Sequence, residues 1–208
     1  MLNNNILNNE TWTIGVNQLI EKDPVLAKII SKFPHEKFSR NPDSFLTLAQ
    51  SIVGQQISVK AAATIWQRLQ KLCKDNIAIN SLSKVSEQEL KKIGLSRQKI
   101  AYLQELCLFN PSKINWSKLS NDEVVNEVTA IKGIGLWTAE MFLIFHLGRR
   151  NILPKTDIGL LKAIELNYKL SVRQDPELIE SISEKWRPWQ TIATWYLWKS
   201  IDPIAVAY

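Results

Sequence analysis

Two glycines two residues apart, Gly133 and Gly135, interrupt an apolar helical pattern in the run Val128-Thr129-Ala130-Ile131-Lys132-Gly133-Ile134-Gly135-Leu136-Trp137-Thr138-Ala139. Glycine tolerates positive φ and lets another backbone come close, so the pair predicts a tight turn joining two helices. A second helix starting at Gly135 has free N–H groups in its first turn, and these, with the helix dipole, suit a phosphate. Lys132 adds a positive charge beside them. Taken alone, the segment reads more readily as a plain interhelical turn. Downstream, Leu153-Pro154-Lys155-Thr156-Asp157-Ile158-Gly159-Leu160 puts a carboxylate after a proline-containing loop and at the start of another helical pattern. A helix N-terminus stabilises the carboxylate anion, so Asp157 is either a fixed negative charge available for chemistry or simply a cap.

Those residues need helices to position them, and nearly the whole chain reads as helix. Capping residues and period-3.6 apolar spacing predict helices over Thr11–Ile20, Pro24–Lys32, Ser58–Leu72, Ser96–Phe109, Asn121–Ile131, Leu136–Leu147, Asp157–Leu166, Pro176–Lys185 and Pro188–Lys199. Asn41 with Pro42 predicts the start of a further helix through Phe45, Leu46, Leu48, Ala49 and Ile52. Ser86 and Glu89 match a capping box, and Gly94 closes that short helix. No run combines period-two alternation with turn signals, so the expected class is all-α. The segment Leu90-Lys91-Lys92-Ile93-Gly94-Leu95-Ser96 echoes the glycine turn in miniature. Only the Asn-rich N-terminus reads as disordered, and it has no basic start of the kind a secretory leader needs.

Composition narrows the function classes. With 208 residues, 45% of them apolar, the chain has enough material for a core. Lys and Arg outnumber Asp and Glu by 26 to 20, a net charge of +6, which favours polyanionic partners. The two cysteines, Cys73 and Cys107, can build neither a disulfide framework nor a four-ligand metal site. The longest apolar stretch, Met141 to Leu147, is too short to cross a bilayer. Eight tryptophans are present, four of them in Trp186-Arg187-Pro188-Trp189-Gln190-Thr191-Ile192-Ala193-Thr194-Trp195-Tyr196-Leu197-Trp198, and most are expected in the core.

Four blocks carry a resemblance: Ser51-Ile52-Val53-Gly54-Gln55-Gln56-Ile57-Ser58-Val59-Lys60-Ala61-Ala62, Gly94-Leu95-Ser96-Arg97-Gln98-Lys99, the glycine turn through Ala139, and Trp186 to Trp198. In type and order they resemble the helix-hairpin-helix DNA glycosylases, and within them the DNA-3-methyladenine glycosylase II type. The resemblance implies a compact, all-helical form lacking the N-terminal β domain of the long bacterial enzymes. It also implies two helical subdomains, residues 1–41 with 151–208 and residues 42–150, with the hairpin at about 122–147 and an active-site cleft between them.

The implied activity is excision of alkylated purines, of the 3-methyladenine and 7-methylguanine type, from double-stranded DNA. Asp157 is then the catalytic carboxylate, Trp137 and Trp198 are base-pocket aromatics, and Gln56 is the residue wedged into the duplex. Lys132, Gly133 and Gly135 hold the DNA backbone. Arg97 and Lys99 are further candidates for phosphate contact, a solvated helix face being the alternative. The backbone carbonyls of Thr129, Ile131 and Ile134 would hold a structural Na+ or K+. Bifunctional relatives carry a lysine nucleophile where this sequence has Trp137, so no lyase activity is expected. No cofactor is expected for catalysis. No iron–sulfur cluster is expected either, since no cysteine follows Cys107. A monomer without membrane association is expected, at the bacterial nucleoid or in a eukaryotic nucleus. Two alternatives stay open: a glycosylase for another lesion class, and a non-catalytic protein that uses the hairpin only to grip DNA.

Overall fold

The computed structural model describes residues 6–35 and 39–202. The expected disorder of the Asn-rich start falls partly on residues 1–5, which lie outside that range. Twelve α-helices are present among the described residues: α1 (Asn9–Lys22), α2 (Pro24–Ile30), α3 (Ser44–Gly54), α4 (Val59–Leu72), α5 (Ile79–Leu82), α6 (Glu87–Lys92), α7 (Arg97–Phe109), α8 (Asn121–Thr129), α9 (Leu136–Phe145), α10 (Ile158–Tyr168), α11 (Glu177–Glu184) and α12 (Gln190–Ile201). No β-strand occurs among them; an isolated backbone bridge pairs Ile6 with Arg149. The class is all-α.

Contacts divide the chain into two compact units. One combines Met1–Arg40 with Leu147–Ala207, the other spans Asn41–His146. In the first, α12 packs on α1, α2 and α10. Its core gathers Leu19, Leu26, Leu160, Ile164, Trp186, Ile192 and Leu197, all fully buried. Asp23 is also fully buried there, where its Oδ1 caps α2 by accepting the N–H groups of Val25 and Leu26. Its Oδ2 accepts from the Tyr168 hydroxyl at 2.5 Å and the Trp186 indole at 2.8 Å, and pairs with Lys185 at 3.1 Å. Burial alone would raise this carboxyl's pKa, but these hydrogen bonds, with the one from Leu26, outweigh it and hold the group below its ordinary value.

In the second unit α3 is central and packs on α4, α7 and α9, while α8 packs on α9. Leu48, Ile52, Leu69, Leu106, Val124, Val128 and Ile144 are completely buried. Local chemistry sets the helix starts. Ser58, Ser86, Ser96 and Ser120 each cap the helix that follows, and Ser86 with Glu89 forms the expected capping box. The start of α3 differs from expectation. Asp43 is its cap, accepting from Leu46 N–H at 2.9 Å, while the Asn41 side chain accepts from Asp43 N–H. Asn41 thus forms a turn ahead of Asp43 and does not cap the helix itself.

Candidate functional site

Asp157 is the N-cap of α10. Its Oδ1 accepts the Leu160 backbone N–H at 2.6 Å and the Trp198 indole N–H at 2.8 Å. The helix end and α12 therefore converge on one carboxylate oxygen. Gly159 leaves room for this, since a Cβ there would lie 3.1 Å from Asp157 Oδ1 and 3.5 Å from the Trp198 ring. The loop leading to Asp157 is also tied to α12. Ile152 N–H donates to the Thr191 hydroxyl at 3.0 Å, and that hydroxyl donates to the Arg149 carbonyl at 2.6 Å. Thr191 and Trp198 stand two turns apart on one stripe of α12, so a single helix fixes both ends of the loop that leads into α10. Lys155 pairs with Glu180 of α11. Ile158, directly after Asp157, is 75% exposed.

The hairpin lies in the other unit. α8 ends at Thr129, Ile134 N–H donates to the Ile131 carbonyl at 3.0 Å, and Gly133 has φ +90°. Ile131 and Ile134 are buried and Lys132 is exposed. Gly135 is the N-cap of α9 and, having no side chain, makes no side-chain cap hydrogen bond. Gly133 is required twice over. Its φ disfavours any L side chain, and a Cβ would sit 2.2 Å from the Tyr102 ring of α7.

Between α3 and α4, Gln56 has φ +55° and is exposed at the tip of the turn. Its neighbour Gln55 points inward, and its amide donates to the Gly133 carbonyl at 2.9 Å. Lys99 donates to the Val53 carbonyl at 2.8 Å, and burial lowers its pKa. The Lys99 amine is thus engaged with the end of α3, whereas Arg97 is exposed.

Of the tryptophans, Trp12, Trp116, Trp186, Trp189 and Trp195 are buried, while Trp66, Trp137 and Trp198 are half-buried. Asp157 and Trp198 meet directly. Trp137 opens α9 beside the hairpin, in the same unit as Gln56, Lys132, Gly133 and Gly135. The sequence alone does not show the roles of Gln55, Tyr102 and Gly159. The Gln pair and the Gly after Asp157 were visible signals, but their partners lie far away in sequence. Among the described residues, no group of three or more His, Cys, Asp and Glu side chains is arranged to hold a metal. No helix among them is long and apolar enough to cross a membrane.

The model of the HhH-GPD superfamily base excision DNA repair proteins matches residues 49–188. This chain therefore belongs to that superfamily. It is similar to the alkylbase DNA glycosidase-like protein mag2 of Schizosaccharomyces pombe, 31% identical over 73% of this chain and 75% of that protein. DNA-3-methyladenine glycosylase 1 of the same yeast is 27% identical, over 84% of this chain and 80% of the relative. Among solved structures, a DNA-3-methyladenine glycosidase from Bacillus halodurans superposes with a TM-score of 0.74 at 31% identity, covering 90% of this chain and 89% of that one.

Proposed function

We propose that this protein is a monofunctional DNA glycosylase that excises alkylated purines and so initiates base excision repair. The observation that carries the reading is the Asp157 carboxylate, fixed at the start of α10 by the Leu160 N–H and the Trp198 indole. Alkylation at N3 or N7 makes a purine cationic and weakens its bond to the sugar, so the departing base needs little acid catalysis. The demand falls on the sugar, which develops oxocarbenium character, and a preorganised anion stabilises that charge. Water adds to C1′, the glycosidic electron pair leaves with the purine and cancels its charge, and the water's proton passes to Asp157 or to solvent.

The base must first leave the duplex, at about a few kcal/mol. Gln56 is the proposed wedge, its amide facing the orphaned base. Lys132 and the open end of α9 at Gly133 and Gly135 are the proposed phosphate grip. Trp137 is the candidate on the hairpin side for stacking on an electron-poor base. It occupies the position of the lyase lysine, so no Schiff base with the sugar is expected. The carbonyls of Thr129, Ile131 and Ile134 are the proposed ligands of a monovalent cation. Thr129 ends α8, where carbonyls have no intrahelical partner, and the Ile131 oxygen keeps a lone pair beyond its bond from Ile134. Such an ion would add positive charge toward a DNA phosphate.

The test is to incubate the protein with methylated duplex DNA and identify the released bases. Free 3-methyladenine and 7-methylguanine are expected, with the strand left intact at the abasic site. Release of only oxidised or deaminated bases from parallel substrates would move the activity to another lesion class. No release from any substrate would overturn the reading.

A further inference from the structure

Three contacts in the Asn41–His146 unit link the Gln56 turn, the hairpin and α7 pairwise. The turn reaches the hairpin through the Gln55 amide, which donates to the Gly133 carbonyl at 2.9 Å. The turn reaches α7 through Lys99, which donates to the Val53 carbonyl at 2.8 Å. The hairpin reaches α7 where Gly133 lies against the Tyr102 ring, and the Tyr102 hydroxyl is in turn held by the Gln98 amide. Each contact is specific in chemistry. A carbonyl only accepts, so the amide must present its NH2 to Gly133, and a glutamate there could not substitute. The Val53 carbonyl belongs to the last turn of α3, where carbonyls lack helical partners and the dipole favours a cation. The approach of Tyr102 needs a residue without a side chain.

Gln56, exposed at the tip of its turn, has φ +55°. A non-glycine residue in that conformation persists where the surroundings over-determine it. Gln55 on one side and the Ser58 cap of α4 on the other supply that constraint.

We propose that Gln55 and Lys99 are positioning residues that tie the Gln56 turn to the hairpin and to α7, so that the phosphate grip and the wedge act on DNA as one rigid body. The inference rests on the glycosylase reading above. A wedge free to swing on its own would lose entropy each time it entered the stack; a wedge preset by the grip would not. The cost of a loose wedge should then appear only when the base must be extruded.

The experiment compares single-turnover release of 7-methylguanine from two substrates of the same flanking duplex. In one the lesion is paired; in the other it lies in a small unpaired bubble. Gln55→Met and Lys99→Met are expected to slow release from the paired site roughly tenfold, the scale of one lost hydrogen bond, and to leave the bubble rate unchanged. Lys99→Arg, which keeps a donor, should restore release from the paired site. Equal slowing on both substrates, or none on either, would overturn the proposal. Absence of release by the unsubstituted protein from either substrate would instead defeat the glycosylase reading on which it rests. Thermal unfolding of each variant separates misfolding from loss of the tie.

Discussion

Replacing Trp198 by Phe removes one donor from the proposed catalytic carboxylate and keeps an aromatic ring. In the native structure Asp157 Oδ1 accepts from the Trp198 indole at 2.8 Å and from Leu160 N–H at 2.6 Å. With the indole gone, the cap bond remains and the carboxylate is free to rotate about it. A hydrogen bond to a charged acceptor contributes about 1.5–3 kcal/mol. At about 1.4 kcal/mol per factor of ten, release should slow roughly 10- to 150-fold if the tie is fully used in the transition state. DNA affinity should change little, since Trp198 makes no part of the proposed phosphate grip. The assay is single-turnover release of 7-methylguanine at saturating protein, with binding to the same duplex measured separately. A Trp198→Phe protein within twofold of the native rate would refute the orienting role. A loss confined to affinity would return Trp198 to a purely stacking role.

Other consequences follow from the same geometry. Gly133→Ala places an L residue in the left-handed region, at about 1–2 kcal/mol, and drives a methyl group into the Tyr102 ring, where overpacking typically costs about 1–3 kcal/mol more. Thermal unfolding and DNA binding should both weaken, and an unchanged melting temperature would contradict the packing. Lys132→Ala should lower affinity on all sequences alike and reduce the slope of log affinity against log salt by about one, which binding titrations at several salt concentrations would show. Asp23 makes stability depend on pH. Its folded pKa lies below its unfolded value, so its contribution is present above the ordinary carboxylate range and is lost as the pH falls through the lowered folded value. Denaturant midpoints measured from neutral to acidic pH should drop across that window, and Asp23→Asn should start lower at neutral pH and show a smaller drop.

Local chemistry was legible in the sequence. Serine caps, the Ser86–Glu89 box and the glycine turn act over a few residues, so the residues themselves announce most helix starts. The four-residue α5 was missed because it is too short to show a period. The start of α3 was misplaced because Asn41 and Asp43 are both capping residues, and only their mutual hydrogen bond decides which one caps. Asp157 was visible as a carboxylate opening a helix. Its bond to Trp198 was not, since that contact spans 41 residues and depends on how α12 packs. The Gln55–Gly133 tie spans 78 residues and was equally hidden. The resemblance singles out Gln56 as the wedge, but the side chain that anchors the turn is the one beside it.

In the proposed mechanism, base excision depends on the fixed carboxylate of Asp157. The most direct measurement is single-turnover release of 3-methyladenine and 7-methylguanine by Asp157→Asn, paired with its affinity for the same DNA. Asparagine keeps the shape and the helix cap but loses the charge. Native affinity is expected, with release slowed by on the order of 10²–10³-fold or more, the scale of one lost electrostatic contact in a catalytic site. Release at the native rate by the well-folded variant would contradict it.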